Sequence, residues 1–124
     1  MQGVTLDTGA LIALERRNKR MRSVLQSVAE SRMSVTVPSV VLAEWWRGRT
    51  DVREAILEAV DVEPLHASVA RTAGEAIAAV RGATVVDAIV MASAAQRGDV
   101  VYTADHADFE RLRRHFPAVR VLRV

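Results

Sequence analysis

The chain has 124 residues, enough for one domain around one core and too few for two ordinary domains. Half the residues are apolar, yet no apolar run approaches the ~20 residues of a membrane span. A secretory leader is not expected, and the absence of cysteine excludes disulfides, thiolate zinc sites and cysteine nucleophiles and suits a cytoplasmic location.

Residues 3–6, "GVTL", read as a short buried strand and 8–17, "TGALIALERR", as a helix with Leu11, Ile12 and Leu14 apolar. In 19–32 the apolar residues Met21, Val24, Leu25 and Val28 recur at helical spacing. The alternation of 34–38 predicts a second strand, with Pro38 in the first turn of a helix over 39–48 that Gly48 stops. Asp51 is the expected N-cap of a helix over 51–60. Pro64 places the weak strand 62–65 at a sheet edge. Helices over 66–82 and 84–98 end at glycines, 99–104 is a strand, and 106–116 is an amphipathic helix stopped by Pro117. The alternating run 119–124 is a last strand. Strands alternating with helices throughout predict a parallel sheet covered on both faces, with ligands beyond the carboxyl ends of the strands.

Five acids stand out against that frame. Asp7 and Asp105 each follow a strand and precede a helix, so each can cap a helix or enter a common crevice. Asp108 falls in the first turn of the helix that follows Asp105. Asp87 lies among Val85, Val86, Ala88 and Ile89, three residues after Thr84, a spacing that resembles a capping box. Glu44 lies past the capping positions with apolar neighbours on both sides. It is expected to be embedded, and so to need donors, a cation or an ion pair with Arg47 or Arg49. Carboxylates gathered in one crevice repel one another and resist ionisation unless a cation joins them. An all-oxygen set favours Mg²⁺ or Mn²⁺ over zinc. His66, His106 and His115 show no paired metal spacing, and His106 reads as an exposed loop residue.

The stretches "LDTGALIAL", "PSVVLAEWWRG", "VVDAIVMASAAQRG" and "VYTADHADFERL" resemble, in order and spacing, the motifs of PIN-domain ribonucleases, and among them the VapC toxins of bacterial toxin–antitoxin pairs. The resemblance covers nearly the whole chain, leaving 49–83 without a motif. It implies a three-layer α/β/α sandwich with a central parallel sheet, one PIN-like nuclease domain over 1–124, and a Mg²⁺ or Mn²⁺ site. It carries the family's four acids onto Asp7, Glu44, Asp87 and Asp105, with Asp108 as a further ligand, direct or through water. Thr8 and Thr103 match residues that support the acids. An RNA substrate, an antitoxin that inserts residues into the acidic crevice, and a homodimer are implied in the same way.

Composition adds little about the substrate. Formal net charge is +2, and 16 of the 17 basic side chains are arginine, a bias that codon usage in a GC-rich genome explains as well as phosphate binding does. Arg16, Arg17, Lys19, Arg47 and Arg49 follow motif helices and are candidate phosphate contacts. Two α/β alternatives fit poorly: a receiver-type phosphoacceptor needs a lysine at a late strand end, and the sole lysine is Lys19. A haloacid-dehalogenase-type phosphatase needs an aspartate where Gly9 stands. A non-catalytic RNA- or protein-binding module stays open.

Overall fold

The computed structural model describes residues 3–124. Five short strands form one parallel sheet: β1 (Val4–Leu6), β2 (Val35–Pro38), β3 (Asp61–Glu63), β4 (Val100–Thr103) and β5 (Val121–Arg123), in the order β3-β2-β1-β4-β5. Seven helices flank it: α1 (Thr8–Glu15), α2 (Lys19–Glu30), α3 (Ser39–Trp45), α4 (Asp51–Ala59), α5 (Ala67–Ala79), α6 (Val85–Arg97) and α7 (His106–Leu112). This is the three-layer α/β/α sandwich that the element pattern predicts. α6 packs on β1, β2 and β4 with α5 and α7 beside it, while α1 packs on β1 and β4 with α2, α3 and α4 around it. Both faces of the central strands are therefore covered, which is why "VTL" and "VTVP" are buried at every position rather than at alternate ones.

β1 lies between β2 and β4, with Val4 opposite Val35 and Val100, and Leu6 opposite Tyr102. Its carboxyl end and that of β4 therefore emerge side by side, followed by Asp7 and by Ala104–Asp105. β3 is an edge strand, as expected from Pro64, although the strand ends at Glu63 before the proline.

Several boundaries differ from the sequence reading, each for a local reason. α1 stops at Glu15 because Arg17 takes a left-handed conformation (φ +60°) and Asn18 caps α2, its side chain accepting from the Met21 amide at 3.0 Å. α2 ends before Arg32, also left-handed (φ +57°). Pro38 closes β2 and occupies the N-cap of α3 rather than its first turn, and Trp46 is already extended, so α3 does not reach Gly48. Thr50, not Asp51, caps α4: its hydroxyl accepts from the Arg53 amide at 3.1 Å. α5 ends at Ala79, short of Gly82, and α7 at Leu112, with hydrogen-bonded turns filling the gap to Pro117.

One polar network crosses the core. Asp99, 5 % exposed, accepts from the Gly3 amide at 3.0 Å, the Thr5 hydroxyl at 2.8 Å and Arg97 at 2.9 Å. Arg97 also reaches Thr5 and Ser93 and pairs with Glu63, whose other carboxylate oxygen accepts from the Ser93 hydroxyl. Every charge in it is opposed or hydrogen-bonded, the condition for burying charge without a large penalty. It fixes the C-terminal end of α6 to β1 and β3, and so orients the helix whose other end carries Asp87.

Candidate active site

The carboxyl ends of β1 and β4 meet the N-termini of α1, α6 and α7. Asp7 stands in the N-cap position of α1, and its backbone carbonyl accepts from the Ala10 and Leu11 amides. Its carboxylate makes no capping bond. It accepts instead from the Thr103 hydroxyl of β4 at 2.8 Å, while the same oxygen of Thr103 accepts from the Asp105 amide at 2.9 Å. Asp105 likewise sits in the N-cap position of α7 without a side-chain cap. Capping therefore does not account for either carboxylate. At α6 the Thr84 hydroxyl is the cap, accepting from the Asp87 amide at 3.2 Å.

Asp7, Glu44, Asp87, Asp105 and Asp108 all line one hollow of about 510 Å³. Of these only Asp7 is buried, at 4 % exposure; Asp87 is half-buried and the other three are exposed. Burial raises the Asp7 carboxyl above its ordinary value, against the lowering effect of the Thr8 amide and the Thr103 hydroxyl; the charges of Glu44 and Asp105 raise it further. Asp87 is pushed up to about 6, first by burial and then by the charge of Asp7, against the lowering effect of a Thr84 side-chain hydrogen bond, with Asp105 and Asp108 adding to the rise. The acids thus feel one another, as carboxylates sharing a crevice must. The positive ends of the helix dipoles offset part of that repulsion.

Glu44 corrects the sequence reading. It is exposed, not embedded: Val41 and Trp45, four apart on α3, turn inward and leave Glu44 on the cleft side. It pairs with neither arginine named above. Arg49 binds Glu54, Arg47 binds the Trp46 carbonyl, and Glu44 accepts from the Thr8 hydroxyl at 2.7 Å. Thr8 and Thr103 therefore hold Glu44 and Asp7 respectively, as the motif comparison implied. Asp108 is paired with Arg111 at 2.7 Å across solvent-exposed surface. His106 begins α7 and is partly buried, its Nε2 3.5 Å from Glu110.

Gly9 is a site residue that the sequence reading used only to discount a phosphatase. A Cβ there would lie 2.5 Å from the Ala104 Cβ and 3.0 Å from the Ala104 amide nitrogen. The first turn of α1 can approach the loop after β4 this closely only without a side chain. The signal was the "TG" after Asp7, whose partner lies 95 positions along the chain.

Among the described residues no three of these carboxylates converge as a closed ligand set. The donors nevertheless suit a hard divalent cation. Magnesium is held by one or two carboxylates, with water and substrate phosphate completing its shell, rather than by an all-protein cage. A larger hollow of about 800 Å³ lies between α2 and the β4–β5 face, but its lining is mostly apolar and holds no carboxylate. The acidic hollow is where hydrolytic chemistry can occur.

The PIN-domain family model matches residues 4–115. The chain belongs to the PIN-domain family. This PIN domain resembles, at 15 % identity and a TM-score of 0.76 over 98 % of both chains, a chain of VapBC2 from Rickettsia felis solved with a promoter DNA fragment. A chain of DNA-bound VapBC from Salmonella typhimurium matches at 20 % identity and a TM-score of 0.71, over 99 % of this chain and 98 % of that one. A chain of FitAcB from Neisseria gonorrhoeae matches at 18 % identity and a TM-score of 0.68, over 96 % of both. No match is found among curated protein sequences. Among the described residues no helix of this PIN domain is long and apolar enough to cross a membrane.

Proposed function

We propose that this PIN domain, acting as one unit over 1–124, is a metal-dependent endoribonuclease and the toxin of a VapC-type toxin–antitoxin pair. The observation that carries this reading is the Asp7 carboxylate: buried, held by Thr103 instead of capping its helix, and facing four more acids contributed by α3, α6, the end of β4 and α7. Asp7, Glu44, Asp87 and Asp105 are the proposed metal-binding and catalytic set, with Asp108 at the rim. Mg²⁺ or Mn²⁺ bound among them would lower the pKa of a water and stabilise charge on the phosphodiester. Thr103 fixes the rotamer of Asp7 and the start of the loop carrying Asp105, so these two acids stay in register. Thr8 does the same for Glu44 across α1 and α3. Asp87, whose proton is held up to about 6, would give that proton up more readily with a cation beside it.

Membership in complexes named VapBC and FitAcB supports an antitoxin partner for this chain as well. Such a partner neutralises the site most directly by placing an arginine among the carboxylates. A cytoplasmic homodimer completes the proposal. Purified protein should cut single-stranded RNA in Mg²⁺ or Mn²⁺ and stop when EDTA is added. Cleavage that persists in EDTA rejects the metal mechanism, and RNA binding without cleavage under any divalent ion favours the non-catalytic module. Host growth should stop on expression and resume when the neighbouring antitoxin gene is co-expressed.

A further inference from the structure

An acidic hollow would repel an RNA backbone except where a cation sits, so such a substrate would need positive charge nearby. A second hollow, of about 470 Å³, adjoins the first: Ile12 and Glu44 line both. Three arginines open into the second hollow, Arg16 at the end of α1, Arg47 just after α3 and Arg53 on α4. Its only carboxylate besides the shared Glu44 is Glu15, and both oxygens of Glu15 are engaged, one by the Trp45 indole at 3.0 Å and the other by Arg53 at 3.0 Å. Arg53 also donates to the Gly48 carbonyl. Arg16 and Arg47 have no carboxylate partner among the described residues, and both are exposed. Arg47 is held by Nη1, which donates to the Trp46 carbonyl at 2.7 Å and the Ala43 carbonyl at 3.5 Å, so its other guanidinium nitrogens are not used by these bonds.

Resting on the nuclease reading, we infer that Arg16 and Arg47 form a phosphate subsite that holds the RNA backbone beside the scissile bond. The strand would pass over Glu44, with one phosphodiester at the acids and a neighbouring one between the two guanidinium groups. Arginine's planar fork suits that contact. Geometry also sorts the other cations that follow motif helices. Arg49 is engaged by Glu54, Arg17 lines a different hollow with Leu14 and Leu25, and Lys19 lines neither. Arg16 and Arg47 act by positioning, and they set which side of the cleavage point must carry backbone.

The test compares Arg16→Ala/Arg47→Ala with Arg20→Ala/Arg120→Ala, which removes the same charge from the apolar groove between α2 and β5. RNA cleavage is followed against salt, and Mn²⁺ affinity is measured by calorimetry without RNA. The subsite predicts that the first pair raises KM on the order of tenfold and flattens the slope of log kcat/KM against log salt by about 0.7, the share of the one single-strand phosphate held between them. Mn²⁺ affinity stays at the parent's value, and Arg16→Lys/Arg47→Lys recovers most of the slope. The control pair keeps the parent's slope. Equal losses in both pairs would show a general field and overturn the subsite while leaving the nuclease standing, as would a first pair with the parent's KM and slope. A parent that neither cuts nor binds RNA overturns the subsite and the nuclease together. Arginines needed only for capture of an acidic protein partner overturn the RNA assignment alone.

Discussion

Asp87→Asn separates a site residue from a structural one. In the folded chain the Asp87 carboxyl is raised from 3.8 to about 6, chiefly by burial and by the charge of Asp7. That gap corresponds to about 3 kcal/mol of disfavoured charge once the group is ionised. Asp87 is only half-buried, so solvent screening reduces the figure to roughly 1–2 kcal/mol. The sign follows from proton binding. Between the two values the folded state holds the proton more tightly than the unfolded one, so this group's contribution falls as pH rises from about 4 to 6 and stays low above that. Asparagine removes the charge and leaves the cap intact, because Thr84 still accepts from the backbone amide of residue 87 and the asparagine keeps an oxygen for the Thr84 hydroxyl. Urea unfolding in EDTA should therefore find parent and variant nearly equal at pH 4 and the variant more stable by roughly 1–2 kcal/mol at pH 7.5. Mn²⁺ binding and RNA cleavage should collapse in the same variant. A variant less stable than the parent at pH 7.5 that still cleaves RNA per folded molecule would refute the reasoning, since Asp87 would then be holding the fold and not the metal.

Thr103→Val removes the donor to Asp7 and the acceptor for the Asp105 amide. It should cost about 1–3 kcal/mol in chemical denaturation and move the onset of Mn²⁺ binding to higher pH, because Asp7 loses a bond that favours its charged form. Gly9→Ala drives a Cβ against Ala104. A loss of about 1–3 kcal/mol from overpacking should come with a loss of Mn²⁺ affinity, because Ala104 leads directly into Asp105, and calorimetry reads both. Arg32→Gly relieves a left-handed, exposed arginine. Strain of about 1 kcal/mol, less about 0.5 kcal/mol for the added freedom of the unfolded chain, should leave a gain of roughly 0.5 kcal/mol and a small rise in Tm.

The sequence carried the outline of this molecule because the outline is local. "VTLD" and "VVYTAD" are apolar runs ending in an acid, and both turned out to be central strands whose ends lie side by side. Asp87 was legible for the same reason, a charge where a helix otherwise reads as core. Glu44 misled because neighbours in sequence are not neighbours on a helix: Val41 and Trp45 face inward together, and Glu44 does not. The ends of α1 and α2 were invisible because an arginine gives no notice that it will turn left-handed. Gly9 against Ala104, and Asp99 against Gly3 and Thr5, are contacts across nearly the whole chain, and no window of sequence contains both partners.

Under the proposed toxin function, that last property bears on when the protein would first become dangerous to the cell that makes it. β1 is synthesised first, but its neighbour β4 is nearly 100 residues later, and the hydroxyl that holds Asp7 arrives with Thr103. A ribosome-bound chain ending before residue 100 carries Asp7, Glu44 and Asp87 without the strand that brings β1's acid into register with Asp105. Closing so long a loop is slow compared with forming local helices. Nascent chains and truncated translation products should consequently be harmless, and the interval between completion of the chain and insertion of β4 gives a partner time to arrive before the first competent site exists.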